Sequence, residues 1–142
     1  MIKIAVTNVF VSDQDRAHRF YTEVLGFETR QDLPVGEHRW ITVGTPGGQG
    51  DTELLLEPGD NPIARAYTSG LHAAGLPAIV LSVTDLRAEH QRMTGRGVRF
   101  TQEPVEQGPV LTAILDDTVG NLVQLIQLIQ PIQPVQPVEP AG

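Results

Sequence analysis

Residues 4–27, IAVTNVFVSDQDRAHRFYTEVLGF, decide how the whole chain is organised. An alternating apolar run that ends at Val11 is typical of a strand, and Asp13 can accept a hydrogen bond from the first turn of a helix. Apolar residues then recur at helical spacing as far as Leu25, where Gly26 offers the positive φ that often ends a helix. The stretch therefore predicts a strand, a helix and a second strand in direct succession.

The same pattern returns later in the chain. Residues 83–85, VTD, repeat residues 11–13, VSD, at an offset of 72, and residues 123–126, VQLI, match residues 52–55, TELL, at an offset of 71. Three further strands are predicted after each helix. Such self-similarity indicates a duplicated module. We expect an α+β fold in which two tandem βαβββ modules form curled mixed sheets around a cavity.

The predicted boundaries follow from this repeat. The first module covers residues 1–57 and the second covers residues 78–128, and together they form one domain. Residues 58–77 are a linker with a short helix near residues 62–67. Residues 129–142 are a Pro/Gln-rich tail with prolines at every third position from Pro131 to Pro140, the period of polyproline II. The tail is either disordered or a ligand for an aromatic-lined groove on a partner.

Composition excludes several classes of function. The chain has 142 residues, 10 Lys+Arg against 17 Asp+Glu, a net charge of -7 and no cysteine. Disulfides and cysteine-based metal sites are therefore impossible. An acidic chain is poorly suited to nucleic acid or to an anionic membrane, because phosphate contacts need clustered Lys and Arg. No stretch approaches the ~18 apolar residues of a transmembrane helix, so a cytoplasmic location is expected.

Two motifs resemble the vicinal-oxygen-chelate superfamily, which includes glyoxalase I, bleomycin-resistance proteins and extradiol dioxygenases. Residues 11–13, VSD, followed by residues 19–27, RFYTEVLGF, are similar to its V-x-D … F-Y-x-x-x-L-G-F motif. Residues 116–125, DDTVGNLVQL, resemble its closing D-P-x-G-N-x-x-E-L motif. The resemblance covers residues 4–128 and implies paired βαβββ modules around one cavity.

Enzymes of this superfamily hold a divalent metal with four inward-facing side chains, two from each module. The resemblance places the two first-strand ligands, usually histidines, at Val6 and Ala78, and the two last-strand ligands, usually glutamates, at Glu53 and Gln124. Valine and alanine offer no lone pair to a metal. We therefore expect no metal at these positions and no cofactor.

Strand alternation predicts which side chains line the cavity. It selects Asn8, Phe10, His38, Trp40, Glu53, Leu55, Ser82 and Gln124 as ligand-binding candidates. Trp40 could stack on a planar ligand or serve as a core or dimer-interface aromatic. Glu53 could have a raised pKa and act as a general base, or it could hydrogen-bond to Gln124 or a ligand. No other catalytic residue is indicated.

Together these features predict a metal-independent small-molecule binding protein of the bleomycin-resistance type. Sequestration of an antibiotic is one such role, and a homodimer is the expected assembly. The alternative is a lyase, isomerase or dioxygenase that uses a metal in a displaced site or Glu53 as a base.

Overall fold

The computed structural model describes residues 1–138 and 140. The first module contains β1 (Val6–Val11), α1 (Gln14–Arg19) continued by a π-helical segment (Phe20–Val24), β2 (Glu28–Val35), β3 (His38–Gly44) and β4 (Glu53–Pro58). The linker contains α2 (Pro62–Ala73). The second module contains β5 (Ile79–Ser82), α3 (Leu86–Gly95), β6 (Phe100–Gln107), β7 (Val110–Asp116) and β8 (Leu122–Leu128).

The helices begin where the sequence predicts. Asp13 accepts a hydrogen bond from the Arg16 amide at 3.0 Å, and Asp85 accepts one from the Ala88 amide at 3.1 Å. Gly26 has a φ of 86° and Gly97 a φ of 85°, the left-handed conformation that glycine adopts without strain. The linker helix is longer than predicted and continues to Ala73.

The described residues form two four-stranded sheets, ordered β1-β4-β3-β2 and β5-β8-β7-β6. In each sheet the first strand of the module runs parallel to the last, and the remaining pairs are antiparallel. The predicted tandem βαβββ architecture with mixed sheets is thus confirmed, whereas the domain boundaries stay predictions.

One core is shared by the two modules. Val9, Ile41 and Leu54 of the first sheet belong to the same buried cluster as Ala113 and Val123 of the second. Because side chains alternate across a strand, the other face of each sheet points away from this core. Within one chain the two open faces therefore do not face each other, and in place of the expected single cavity the first sheet has two open grooves beside it.

A buried carboxylate links the modules. Asp117 in the loop after β7 is fully buried and accepts a hydrogen bond from the Tyr21 hydroxyl at 2.7 Å. Its other oxygen accepts from the Val119 and Asn121 amides, and the Asn121 side chain donates to Asp117 and to the Phe10 carbonyl. Burial raises the pKa of Asp117 above its usual value, although these hydrogen bonds oppose the shift. Asp117 and Asn121 together thus connect the second module to the first helix and the first strand of the chain.

The tail leaves the second sheet at a defined point. The Ile129 amide donates to the Pro109 carbonyl at 2.8 Å, and the Ile129 side chain packs against the core. Residues 131–138 are exposed and belong to no helix or strand. The predicted tail also includes residues 139, 141 and 142, which lie outside the described residues. Among the helices described, none has the length and apolar character needed to cross a membrane.

Candidate functional site

The open face of the first sheet carries six of the eight candidates. Leu55 pairs with Asn8 on one side and with Thr42 on the other, and Phe10 pairs with Glu57. Paired residues share a face, so these side chains point away from the core together with Trp40 and Glu53. The strand register agrees with the alternation predicted from the sequence, and the intervening residues Val9, Ile41, Leu54 and Leu56 belong to the shared core, whereas Leu55 does not.

The Trp40 groove lies on this face, with a volume of about 250 Å³. The indole of Trp40 is half-buried, and the Leu55 side chain is only 4% exposed beside it. Glu57 contributes a carboxylate. The lining residues are Val35, His38, Arg39, Trp40, Leu55, Glu57 and Pro58. An aromatic wall, an aliphatic floor and one carboxylate form a surface suited to a flat ring that carries positive charge.

The positive charge of Arg39 is already neutralised. Its guanidinium donates to both oxygens of Asp32, at 3.1 and 2.7 Å, and also contacts Asp15. The hydrogen bond from Arg39 lowers the pKa of Asp32, so this carboxylate is charged at neutral pH. Asp60 lies 3.5 Å from His38 at the rim. The electrostatic potential in the groove is therefore set by acidic groups.

A second groove, the Phe10 groove, adjoins the first module near α2. It has a volume of about 290 Å³ and includes Asn8 and Phe10. The Phe10 ring meets Tyr67 of α2 edge to face, with 6.3 Å between ring centroids. The structure therefore divides the candidates on this face between two grooves, with His38, Trp40 and Leu55 in one and Asn8 and Phe10 in the other.

Glu53 lies in neither groove, and of its two alternatives the raised pKa is wrong. Its Oε1 accepts a hydrogen bond from Thr42 at 2.6 Å and another from Gln31 at 2.8 Å. These two hydrogen bonds stabilise the charged form and lower the pKa of Glu53 below its ordinary 4.5. A carboxylate of this kind is a poor general base at neutral pH. The other alternative, a hydrogen bond between the described side chains of Glu53 and Gln124, is not formed either. The Gln124 side-chain amide donates instead to the Thr112 hydroxyl at 2.8 Å.

Ser82 and Gln124 belong to the other sheet. Ser82 pairs with Ile126, and Gln124 pairs with Val80, all on the open face of the second module. Because the two open faces point away from the shared core, these two candidates are separated from the other six within one chain. Their ligand-binding roles, like those of the other six, stay predictions.

The register corrects the alignment of the two closing strands. Asn8 pairs with Leu55 and Val80 pairs with Gln124, and Asn8 and Val80 are equivalent at the offset of 72. The counterpart of Gln124 is therefore Leu55, at an offset of 69, and the predicted offset of 71 is wrong. A slip of two residues preserves strand alternation, so the sequence pattern cannot detect it.

The four positions that would hold the superfamily's metal are thus Val6, Leu55, Ala78 and Gln124. Three hydrocarbon side chains and one neutral amide do not fit a divalent ion, which needs anionic or imidazole donors. Elsewhere in residues 1–138 and 140, no group of three or more His, Cys, Asp or Glu side chains is placed to hold a metal.

The fold and site define a tandem βαβββ protein with two grooves beside the open face of its first sheet. The family model of the Glyoxalase/Bleomycin resistance protein/Dioxygenase superfamily matches residues 3–125. The chain belongs to this superfamily, as its motifs predicted.

The proteins similar to this chain have different descriptions. The chain is 48% identical to the protein YurT of Bacillus subtilis over 124 residues, which are 87% of this chain and 98% of YurT. It is 30% identical to the mitochondrial methylmalonyl-CoA epimerase of Bos taurus over 122 residues, covering 82% of this chain and 69% of that protein. The structure of TnmS3, an antibiotic binding protein from Streptomyces sp. CB03234, is similar at a TM-score of 0.69 and 28% identity, covering 90% of this chain and 97% of that one.

Several residues that shape the site were not predicted as site residues from the sequence. Glu57 and Pro58 line the Trp40 groove, and Tyr67 closes the Phe10 groove. Strand alternation turns Glu57, two residues after Leu55, to the same face, although Glu57 was not among the predicted ligand-binding residues. Tyr67 gave no comparable signal, because its contact with Phe10 depends on how the linker helix packs.

Proposed function

We propose that this protein binds a small planar cation in the Trp40 groove without a metal, and that it sequesters the ligand rather than transforming it. The observation that carries the proposal is that Trp40 and Glu57 line one groove on the open face of the first sheet, where the metal positions of this module hold Val6 and Leu55. An apolar groove with a few polar groups is the usual form of a small-molecule site.

Charge supports a cationic ligand. The chain has a net charge of -7, and the guanidinium nearest the groove is neutralised by Asp15 and Asp32. A cation placed over the indole of Trp40 would gain from the π face of the ring and from the carboxylate of Glu57. The antibiotic binding protein TnmS3 shares the fold, so cytoplasmic sequestration of an antibiotic is the role we favour.

Titration with two flat ring compounds of opposite charge tests the proposal. The cation proflavine should bind with a Kd of about 1–100 μM, detected by calorimetry and by the fluorescence of Trp40. The anion anthracene-2-carboxylate should bind at least tenfold more weakly. Raising the salt concentration should weaken proflavine binding, because salt screens the attraction to Glu57. Failure of proflavine to bind below about 1 mM would reject the proposal.

A homodimer is the assembly we propose. Each open face exposes large apolar side chains, with Val35 at 59% on the first and Val80 at 52% and Leu128 at 56% on the second. Covering one face with the other face of a second copy would remove both patches from water and bring Ser82 and Gln124 toward the Trp40 groove. Sedimentation equilibrium should then give about twice the chain mass of 15.4 kDa. A single species at the monomer mass, at micromolar concentration, would count against the dimer.

The enzymatic alternative requires Glu53 to have a raised pKa, whereas the structure gives it a lowered one. Because hydrogen bonds from Thr42 and Gln31 lower its folded pKa, the ionised form stabilises the fold above pH 4.5, and this stabilisation is lost as the pH falls through the lower folded pKa. Carboxyl-carbon NMR should therefore give a midpoint below 4.5 for Glu53. Glu53→Gln should show a smaller loss of stability than the wild type on acidification. A midpoint above 6 would restore Glu53 as a candidate base.

A further inference from the structure

The two modules differ at the equivalent pair of strands. In the second module β7 and β8 pair along their full length, from Val110 opposite Leu128 to Asp116 opposite Leu122. In the first, within the described residues, β3 and β4 pair only at Thr42–Leu55 and Val43–Leu54. The strands separate beyond Thr42, and the Trp40 groove lies at this separation.

The sequence removes one hydrogen bond from the part of the ladder that does not form. Extending the register of the two pairs would place Arg39 opposite Pro58. Proline has no amide hydrogen, so it cannot donate to the Arg39 carbonyl, and a proline inside a ladder removes a hydrogen bond. The Arg39 carbonyl must then find another donor, and so must the Leu56 carbonyl, because Ile41, its partner in the extended register, is not paired with it.

Gln14 supplies those partners from the helix side of the sheet. Its Nε2 donates to the Arg39 carbonyl at 2.6 Å and to the Leu56 carbonyl at 2.8 Å, and its Oε1 accepts from the Arg39 amide at 3.0 Å. One side-chain amide therefore bridges both strands where their backbones do not meet. The next residue along each strand, Trp40 or Glu57, lines the groove.

The equivalent residue of the second module has no such role. Leu86 follows the cap Asp85 as Gln14 follows the cap Asp13, and its side chain is fully buried in the core. The fully paired strands of that module need no bridging amide. Among the described residues, the first module has both the bridging Gln14 side chain and the separated strands, and the second module has neither.

We propose that Gln14 is a positioning residue that holds β3 and β4 apart and so keeps the Trp40 groove open to a flat ring. Gln14 touches no ligand itself, and the link to a ligand rests on the proposed function. Its effect is transmitted through the Arg39 and Leu56 backbones to the adjacent side chains of Trp40 and Glu57.

Gln14→Met tests the proposal, because methionine has nearly the same length but cannot bridge the two strands. The two strands should close by pairing Ile41 with Leu56, whose carbonyl Gln14 now occupies, so quenching of Trp40 fluorescence by acrylamide should fall at least twofold and proflavine affinity at least tenfold. Gln127→Met is the matched control. Gln127 accepts a hydrogen bond from the Leu86 amide at 2.9 Å at the same helix end of the other module, away from the groove. The Gln127→Met variant should have a lower melting temperature, but its acrylamide quenching and proflavine affinity should stay within twofold of the wild type.

The outcomes separate a positioning role from a structural one. If Gln14→Met lowers stability but leaves quenching and affinity within twofold, the proposal is overturned. If that variant does not fold, the wild type still decides, because the Gln14 side-chain amide protons should exchange far more slowly than those of exposed Gln91. Equal exchange rates would also overturn it. Should proflavine fail to bind the wild type, the proposed function fails, whereas quenching and exchange still test Gln14.

Discussion

Asp117→Ala should lower the free energy of unfolding by about 3–5 kcal/mol, the largest loss of stability that we expect from a single change. The substitution removes the acceptor for four donors, namely the Tyr21 hydroxyl, the Val119 amide and the backbone and side-chain amides of Asn121. Several buried donors left without a partner lose more free energy of folding than the hydrogen bonds themselves contribute on balance. Urea unfolding followed by circular dichroism measures the change.

Two variants calibrate this expectation. Tyr21→Phe removes one donor and should cost about 1–2 kcal/mol. Asp116→Ala changes the neighbouring aspartate, which is partly exposed and bonds to His72 at 3.0 Å, and should cost about 1 kcal/mol. Equal losses for Asp116→Ala and Asp117→Ala would show that the buried network is not what joins the modules.

Trp40→Ala should weaken proflavine binding at least 30-fold, a loss of about 2 kcal/mol in binding free energy. The indole supplies the flat face of the groove, and no Phe, Tyr or second Trp side chain lines it among the described residues. Calorimetry is the appropriate measurement, because the variant has lost the only tryptophan of the chain.

A graded series makes this result specific. Trp40→Phe keeps a smaller ring and should lose about 3- to 5-fold in affinity. Leu76→Ala changes an apolar side chain that is 52% exposed in the linker and should have no effect. Retention of affinity within threefold by Trp40→Ala would place the ligand elsewhere, with the Phe10 groove as the next candidate.

Local signals predicted the elements well. The caps at Asp13 and Asp85, the glycines after the helices and the alternation along β1, β3 and β4 are properties of neighbouring residues, and the structure has all of them. Alternation also selected Trp40 and Leu55, which line the same groove. Sequence patterns carry this information because each depends on a few consecutive backbone positions.

Long-range relations could not be predicted in the same way. Alternation shows which side chains leave the core but not what the exposed face meets, so the opposite directions of the two open faces were missed. The offset between the closing strands was wrong because a shift of two residues leaves the pattern unchanged. The lowered pKa of Glu53 depends on Thr42 and Gln31, which come from two other strands.

The shared core has a consequence for how the duplication arose. A single βαβββ half would expose the helix-bearing face of its sheet, on which Ile41, Val43 and Leu56 are now completely inaccessible to water. An ancestral polypeptide of half this length would have had to associate with a copy of itself to cover that surface. In the present chain this surface is instead the interior of one molecule, so the two halves need not match each other residue by residue. Gln14 and Leu86, each the first residue after the cap of its helix, differ in this way.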